Sequence, residues 1–329
     1  MQRVQKTTSS PSRSLIMKRQ FKHNRVPVHG VLLLDKPEGV SSTYALGVAK
    51  RLLNAEKAGH TGTLDPFATG LLPLCFGEAT KFAQDLLHAD KIYEATVHLG
   101  VTTTTADTEG DIIETKSVDL TAEQIELVLQ KFRGAIKQVP PMHSALKRDG
   151  KPLYEYAREG VVLERESREV LIHALELVEF KSPYLKIRVH CSKGTYIRVL
   201  GEDIGRALGC GAHLIALRRT GVGNLDLQRS ITLAEFTELA VAQQSQALLP
   251  VDALLVSLPA IHLSEELTQR FLHGQRLPGT ACEEAHATED ADALVRVYRA
   301  VDEVLLGVAL LDTRGVLSPQ RLVSVSTSA

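Results

Sequence analysis

The stretch that decides the fold is EVLIHALELVEF (169–180), KSP (181–183) and YLKIRVHCSKGTYIRV (184–199). Both long segments alternate apolar with polar residues, and a three-residue connection containing proline joins them, which predicts an antiparallel hairpin. Within the second segment Tyr196 and Arg198 stand two apart, so a strand would place them on one face. Working outward, KIYEATVHLGVTT (91–103) alternates in the same way, whereas GVLLLDK (30–36) and LLPLCFG (71–77) are apolar runs of buried-strand length. Helices are predicted over TYALGVAKRLLNA (43–55), capped by Ser41 or Ser42, over EATKFAQDLL (78–87), over LGEDIGRALG (200–209), and over TAEQIELVLQKF (121–132), where Thr121 and Gln124 stand at capping-box spacing. Strands that neighbour one another, with helices grouped between them, predict an α+β fold: a mainly antiparallel, mixed sheet flanked by helices. No GxGxxG follows a strand, so a dinucleotide fold is not supported.

At 329 residues the chain is long enough for one large body and a smaller module. The segment LPVDALLVSLPAIHL (249–263), with two prolines, reads as a linker between them. Beyond it, SEELTQRFLHGQRL (264–277) reads as a short helix and ALVRVYRAVDEVLLGVALLD (293–312) as two strands, so the C-terminal part is expected to be small and β-rich. The expected organisation is a basic flexible arm at 1–27, a catalytic domain at 28–255 and a C-terminal domain at 256–329.

Hydrophobic residues make up 44% of the chain and charged residues 23%, and no apolar run reaches the roughly 18 residues of a membrane helix, so a soluble protein is expected. Cys75, Cys191, Cys210 and Cys282 form no CxxC pair, which fits neither a disulfide framework nor a zinc ribbon; a reducing cytoplasm is the expected location. Cys282 and His286 lack further ligands nearby, and no metal is expected. The formal net charge of −1 conceals an uneven distribution: seven Lys or Arg and no acid precede Asp35, whereas Cys282 to Glu303 carries seven acids against two Arg. The arm is rich in Ser, Thr and Arg but lacks the amphipathic stripe of a transit peptide, and reads as an RNA-touching tail; Met17 is an alternative start.

The loop HTGTLDPFATG (60–70) surrounds a lone carboxylate, Asp65, with small or stiff residues. Such a carboxylate is a structural turn residue, a cap, a metal ligand, a general base or a nucleophile. No second acid lies at useful local spacing, which argues against a glycosidase-like pair. Other candidates are equally two-sided. Arg198 can hold a buried carboxylate ionised or belong to a solvated face. Tyr93 is a core aromatic or a platform for a nucleobase; Lys36 is a loop lysine or a site residue; His60 caps a turn or fills a gap in a base stack.

Taken together and in order, GVLLLDKPEGVSS (30–42), KAGHTGTLDPFATGLLPLCFGEATKF (57–82), KIYEATVHLGVTTTTADTEG (91–110), QVPPMHSALKRDGKPLYEYAREG (138–160) and VHCSKGTYIRVLGEDIGRALGCGAHLIALRRTGVG (189–223) resemble the successive signature blocks of the bacterial TruB tRNA pseudouridine synthases. The resemblance is close over Gly30 to Gly223 and looser beyond. It implies the pseudouridine synthase fold, a PUA-like C-terminal RNA-binding domain, and isomerisation of uridine 55 in the T-arm loop of tRNA by base flipping, with no metal or organic cofactor. It further implies Asp65 as the catalytic residue, Tyr93 stacking on the extruded base, Tyr196 lining the pocket, Arg198 paired with Asp65, Leu217 closing the apolar side, His60 entering the space left by the uridine, and Lys36 ordering the loops. The implied partner is the tRNA T-arm stem-loop, with no membrane, no obligatory protein partner and a monomeric enzyme. Two departures stand out: His143 occupies a position where the family usually has Tyr or Phe, and RRTGVGNLDL lacks the aromatic that often follows. A non-catalytic RNA-binding protein is the rival reading, against which the intact set Asp65, Tyr93, Tyr196 and Arg198 argues; a carbohydrate hydrolase finds no second carboxylate motif.

Overall fold

The computed structural model describes residues 25–278 and 292–324. The basic arm up to residue 24, the Cys282 and His286 pair and the acidic stretch up to residue 291 lie outside the described residues. Among the described residues no helix is long and apolar enough to cross a membrane.

In the larger body the main elements are β1 (Gly30–Lys36), α1 (Ser42–Leu52), β2 (Thr69–Phe76), α2 (Ala83–His88), β3 (Lys91–Leu99), α3 (Ala122–Gln130), β4 (Gly134–Gln138), β5 (Arg168–Lys181), β6 (Tyr184–Cys191), α4 (Ile197–Ala207), β7 (Ala212–Val222) and β8 (Ile231–Thr232). They build one sheet in the order β8-β1-β2-β7-β3-β6-β5-β4. Its pairings are antiparallel except β1 with β8 and β2 with β7. The hairpin read from the sequence is β5 and β6, closing at Lys181 opposite Tyr184. The continuous apolar run in β1 follows from burial on both faces: Leu32 and Leu34 face one core with Leu72, Leu74 and Val97, while Val31 and Leu33 face a second with Phe82 and Leu86. Ser41 caps α1 by accepting the Tyr44 N–H, and Thr121 and Gln124 form the capping box of α3.

Three local readings need correction. The segment after β6 is not a strand: β6 ends at Cys191, Gly194 turns the chain with φ +80°, and Tyr196 is the N-cap residue of α4, with Arg198 in its first turn. The buried Ile197, Leu200 and Ile204 follow the helical period, which outweighs the strand preference of Tyr, Ile and Val in isolation. EATKFAQDLL is not one helix but a 3₁₀ turn at Gly77–Lys81 followed by α2. The proline-bounded connection is packed and not a loose tether. Leu249 exchanges backbone hydrogen bonds with Val31 at 2.8 and 2.9 Å, and Leu254 and Leu255 are buried in the second core.

The C-terminal body holds β9 (Ala260–Leu263), α5 (Glu265–Leu272), β10 (Leu277–Pro278), β11 (Ala293–Arg299), β12 (Val304–Leu311) and β13 (Val316–Leu322). Its strands form a separate sheet, β9-β11-β12-β13-β10, over its own core of Ile261, Phe271, Val297 and Leu306. It is fixed to the larger body around α2: Arg321 reaches Asp85 at 3.1 Å and the Lys81 carbonyl at 3.0 Å, Lys81 donates to the Leu322 carbonyl at 2.8 Å, and Val308 joins the core of Leu254 and Leu255.

One glycine governs how the central strands meet. Gly70 sits at φ +100° where β2 runs beside β7, and a Cβ there would lie 2.2 Å from the Arg219 carbonyl oxygen. Both the backbone angle and the space exclude a side chain. Gly70→Ala is therefore expected to lower stability by roughly 2 kcal/mol or more, read from urea unfolding; a change within about 0.5 kcal/mol, the usual range of surface substitutions, would contradict this packing.

Candidate active site

Asp65 lies in the loop between the short strand Ala58–His60 and β2, and the residues on both sides of it are held by side chains from the β1–α1 region. Ser42, the first residue of α1, accepts from the Leu64 N–H at 2.8 Å and donates to the Leu64 carbonyl at 3.0 Å. Lys36, at the end of β1, donates to the Pro66 carbonyl at 3.2 Å and to the carbonyls of Pro37 and Val40, and the Gly39 N–H donates to the same Pro66 oxygen at 2.8 Å. Lys36 is fully buried, and that burial pushes its ammonium down to about 8. A lysine spending all three donors on backbone carbonyls acts as a cross-brace between loops.

The Asp65 carboxylate meets Arg198, whose Nε lies 2.9 Å from Oδ2. Arg198 is itself buried and uses every edge: Nη1 reaches Asp107 Oδ2 and the Thr105 carbonyl, each at 3.2 Å, and Nη2 donates to the His143 carbonyl at 2.7 Å. Burial raises the Asp65 carboxyl above the ordinary aspartate range; Arg198 opposes this, Asp107 adds to it and Lys36 opposes it further. Asp107 is held in turn by the Glu109 N–H at 2.9 Å and by the Thr105 hydroxyl. The Arg198 helix is anchored from behind, because the buried Gln138 side chain accepts from the Tyr196 N–H at 3.0 Å and donates to the Tyr196 carbonyl at 3.3 Å.

A cavity of about 360 Å³ opens beside this pair, within the range of small-ligand pockets. Asp65, Tyr93, Tyr196, Arg198, Leu217 and Arg219 all line it. Five residues singled out from the sequence thus meet in one place. His60 and Lys36 do not line it. His60 ends the short strand, accepts the Gly62 N–H at Nδ1 (3.4 Å), and is kept below the ordinary histidine value by burial and by the Arg219 charge. A second cavity of about 620 Å³ lies on the other side of Asp65, with Asp107, Glu109, Tyr154 and Arg158 in its walls.

Several participants were not read from the sequence. Arg219 is almost wholly buried and donates to the Leu71 carbonyl at 2.8 Å and the Gly62 carbonyl at 3.1 Å; burial raises the pKa of the Tyr93 hydroxyl, and the Arg219 charge opposes that rise. Asp107 supplies the second carboxylate that local spacing did not reveal. The Arg-Arg of RRTGVG and the TTTTADTEG stretch (102–110) contain both residues, but nothing in their spacing marks which arginine or acid turns inward. At position 143 the contact with Arg198 uses the backbone carbonyl, and the His143 ring is exposed, so this contact is independent of the family's usual aromatic. The buried Cys75 and Cys191 thiols are pushed up to about 12, which excludes them as thiolate nucleophiles.

Comparison with known proteins places this geometry. The TruB family pseudouridylate synthase N-terminal domain matches residues 50–197, and two C-terminal domains of that family match 198–256 and 259–323. The chain belongs to the TruB family of pseudouridine synthases. It is 57% identical over 311 residues to the tRNA pseudouridine synthase B of Ralstonia nicotianae, covering 92% of this chain and 97% of that protein. It is 58% identical over 301 residues to that of Burkholderia mallei, covering 91% and 98%. Among solved structures, a chain from a Cbf5-Nop10-Gar1 complex superposes with a TM-score of 0.69 at 29% identity, over 89% of this chain and 84% of that one. A chain from an H/ACA RNP bound to a substrate RNA containing 2′-deoxyuridine superposes with a TM-score of 0.68 at 26% identity, over 91% and 86%. TruB membership makes the protein an isomerase and fixes the mixed sheet with its C-terminal β domain as the family architecture.

The double hydrogen bond from Ser42 sets the backbone that carries Asp65. Ser42→Ala removes both bonds while leaving every side chain that lines the 360 Å³ cavity in place. It is expected to lower the single-turnover rate of pseudouridine formation at least about tenfold with little change in substrate affinity; an unchanged rate would show that the loop is positioned without it.

Proposed function

We propose that this tRNA pseudouridine synthase isomerises the uridine at position 55 of the T-arm loop, with Asp65 as the catalytic carboxylate acting on a base flipped into the 360 Å³ cavity. The observation that carries this reading is the Asp65–Arg198 pair facing a cavity walled by Tyr93, Tyr196 and Leu217. Tyr93 offers a ring for stacking, Leu217 an apolar wall, and Tyr196 and Arg219 polar edges. His60 lies outside the cavity wall, at the head of the same loop, where it suits the role of filling the gap left in the RNA stack. Stacking of this kind offsets part of the few kcal/mol that base extrusion typically costs.

The reaction breaks the bond between N1 of uracil and C1′ of ribose and forms a bond between C5 and the same C1′, while the proton leaves C5 and one is gained at N1. Atoms balance without an external reactant, so a lone carboxylate suffices. Addition to C1′, addition to the base and proton removal toward a glycal all require Asp65 ionised. Arg198 favours that form, and the bond it makes through Nε fixes the carboxylate's orientation. Because burial raises the Asp65 carboxyl, its ionised fraction is lost at a higher pH than for an exposed aspartate as pH falls.

The C-terminal domain from residue 256 suits the role of a PUA-like module that contacts the acceptor side of the tRNA, and its attachment at α2 sets its position relative to the cavity, because Leu87 at the end of α2 lines that cavity. A single chain supplies every group named here, in keeping with a cytoplasmic monomer that acts without a protein partner.

Incubating unmodified tRNA with the native protein and with Asp65→Asn, followed by nucleoside mapping, tests the reading. Native protein is expected to convert uridine 55 alone, and Asp65→Asn to lose conversion while binding tRNA within about tenfold, since the side chain acts after docking. Conversion by the variant would refute the role of Asp65; modification elsewhere would refute the target.

A further inference from the structure

The exposed face of the three-strand ladder β3-β6-β5 carries two rungs of different character. In the first, Glu94, Arg188 and Glu176 alternate in charge, with Arg188 3.0 Å from Glu94 and 3.7 Å from Glu176. In the second, at the start of β3, Asp90 meets His190 of β6 and His173 of β5. His173 Nε2 lies 3.0 Å from Asp90 Oδ2 and His190 Nε2 3.9 Å from the same oxygen, and the two imidazoles face each other with centroids 4.7 Å apart. Three ligand atoms, one from each residue, lie within 4.8 Å of one another. No residue of this rung belongs to the cavity at Asp65.

We propose that Asp90, His173 and His190 form a binding site for a divalent transition cation of the Zn²⁺ class. Two neutral imidazoles and one carboxylate are a common donor set for such an ion, leaving further positions to water. In a tetrahedral site with bonds of about 2.0–2.1 Å the donors stand about 3.3 Å apart, so the spacings here bracket the required one and rotation of the exposed His173 ring and the half-buried His190 ring closes the difference. The β-bulge between Ile172 and Ala174 is what turns His173 onto the same face as His190, against the simple alternation of the hairpin. The ion would staple the ends of three strands beside the active site, because Lys91 follows Asp90 and Ser192 lies two residues past His190, and both line the 360 Å³ cavity. It would take no part in the isomerisation, whose carboxylate lies elsewhere. Sequence spacing hides the set, since the three ligands come from separate segments and cysteine is absent from it.

The test is isothermal titration of the chelator-stripped full-length protein with Zn²⁺, together with thermal melts. The expected result is a single site in the micromolar range and a rise in melting temperature with Zn²⁺. The double variant His173→Gln, His190→Gln keeps polar side chains at both positions and is expected to bind at least about tenfold more weakly and to lose the thermal shift. The variant Cys282→Ser, which removes the other candidate ligand read from the sequence, is expected to bind as the native protein does. Absence of Zn²⁺ binding, or binding unaffected by the histidine substitutions, would overturn the proposal.

Discussion

Arg198 is the group around which the site is assembled. Its guanidinium is buried, so each N–H must find a partner, and the four partners come from three parts of the chain: Asp65, the Thr105–Asp107 loop and His143. The fork geometry of arginine lets one cation fix two carboxylates and two loop carbonyls at once, which a lysine could not do. Removing the cation would leave Asp107 buried without its charge partner, and breaking such pairs is usually far more costly than the pair's own net contribution. The loops that wall the cavity are therefore held by the same contact that favours the ionised form of Asp65. Burial raises the pKa of that carboxyl; one cation shared between two acids opposes the rise only in part.

The supporting contacts show a division of labour between side chain and backbone. Lys36 and Ser42 fix the chain on either side of Asp65, and Gln138 fixes the backbone of Tyr196 ahead of Arg198. None of these lines the 360 Å³ cavity. Asp65 and Arg198 are thus both carried on backbone that is hydrogen-bonded by side chains from distant segments, which places them without relying on loop stiffness alone. The close approach of β2 and β7 at Gly70 contributes the same kind of constraint, since it brings Arg219 against Leu71 and Gly62 at the base of the cavity.

Much of this was legible in the sequence, and what was not has a common cause. The hairpin at 169–191, the caps at Ser41 and Thr121 and the two-sided burial of GVLLLDK are local patterns, and local patterns specify strands and caps well. The family blocks marked Asp65, Tyr93, Tyr196, Arg198 and Leu217, which meet in one cavity. Asp107, Arg219, Ser42 and Gln138 were missed because their partners lie far away in sequence: Arg219 reaches Leu71 and Gly62, and Gln138 reaches Tyr196. Ser42 looked like a second candidate cap, and only the fold shows that Ser41 caps while Ser42 turns inward. The strand assigned to Tyr196 and Arg198 failed for a different reason: aromatic and β-branched residues suggested a strand, while the burial of Ile197, Leu200 and Ile204 follows a helix.

The most direct measurement of the central interaction is a carboxyl ¹³C titration of Asp65 in the native protein, in Asp107→Asn and in Arg198→Gln. If Arg198 is shared between the two acids, the Asp65 pKa falls when Asp107 loses its charge and rises when the guanidinium is removed. Titration curves that superimpose in all three proteins would contradict the account.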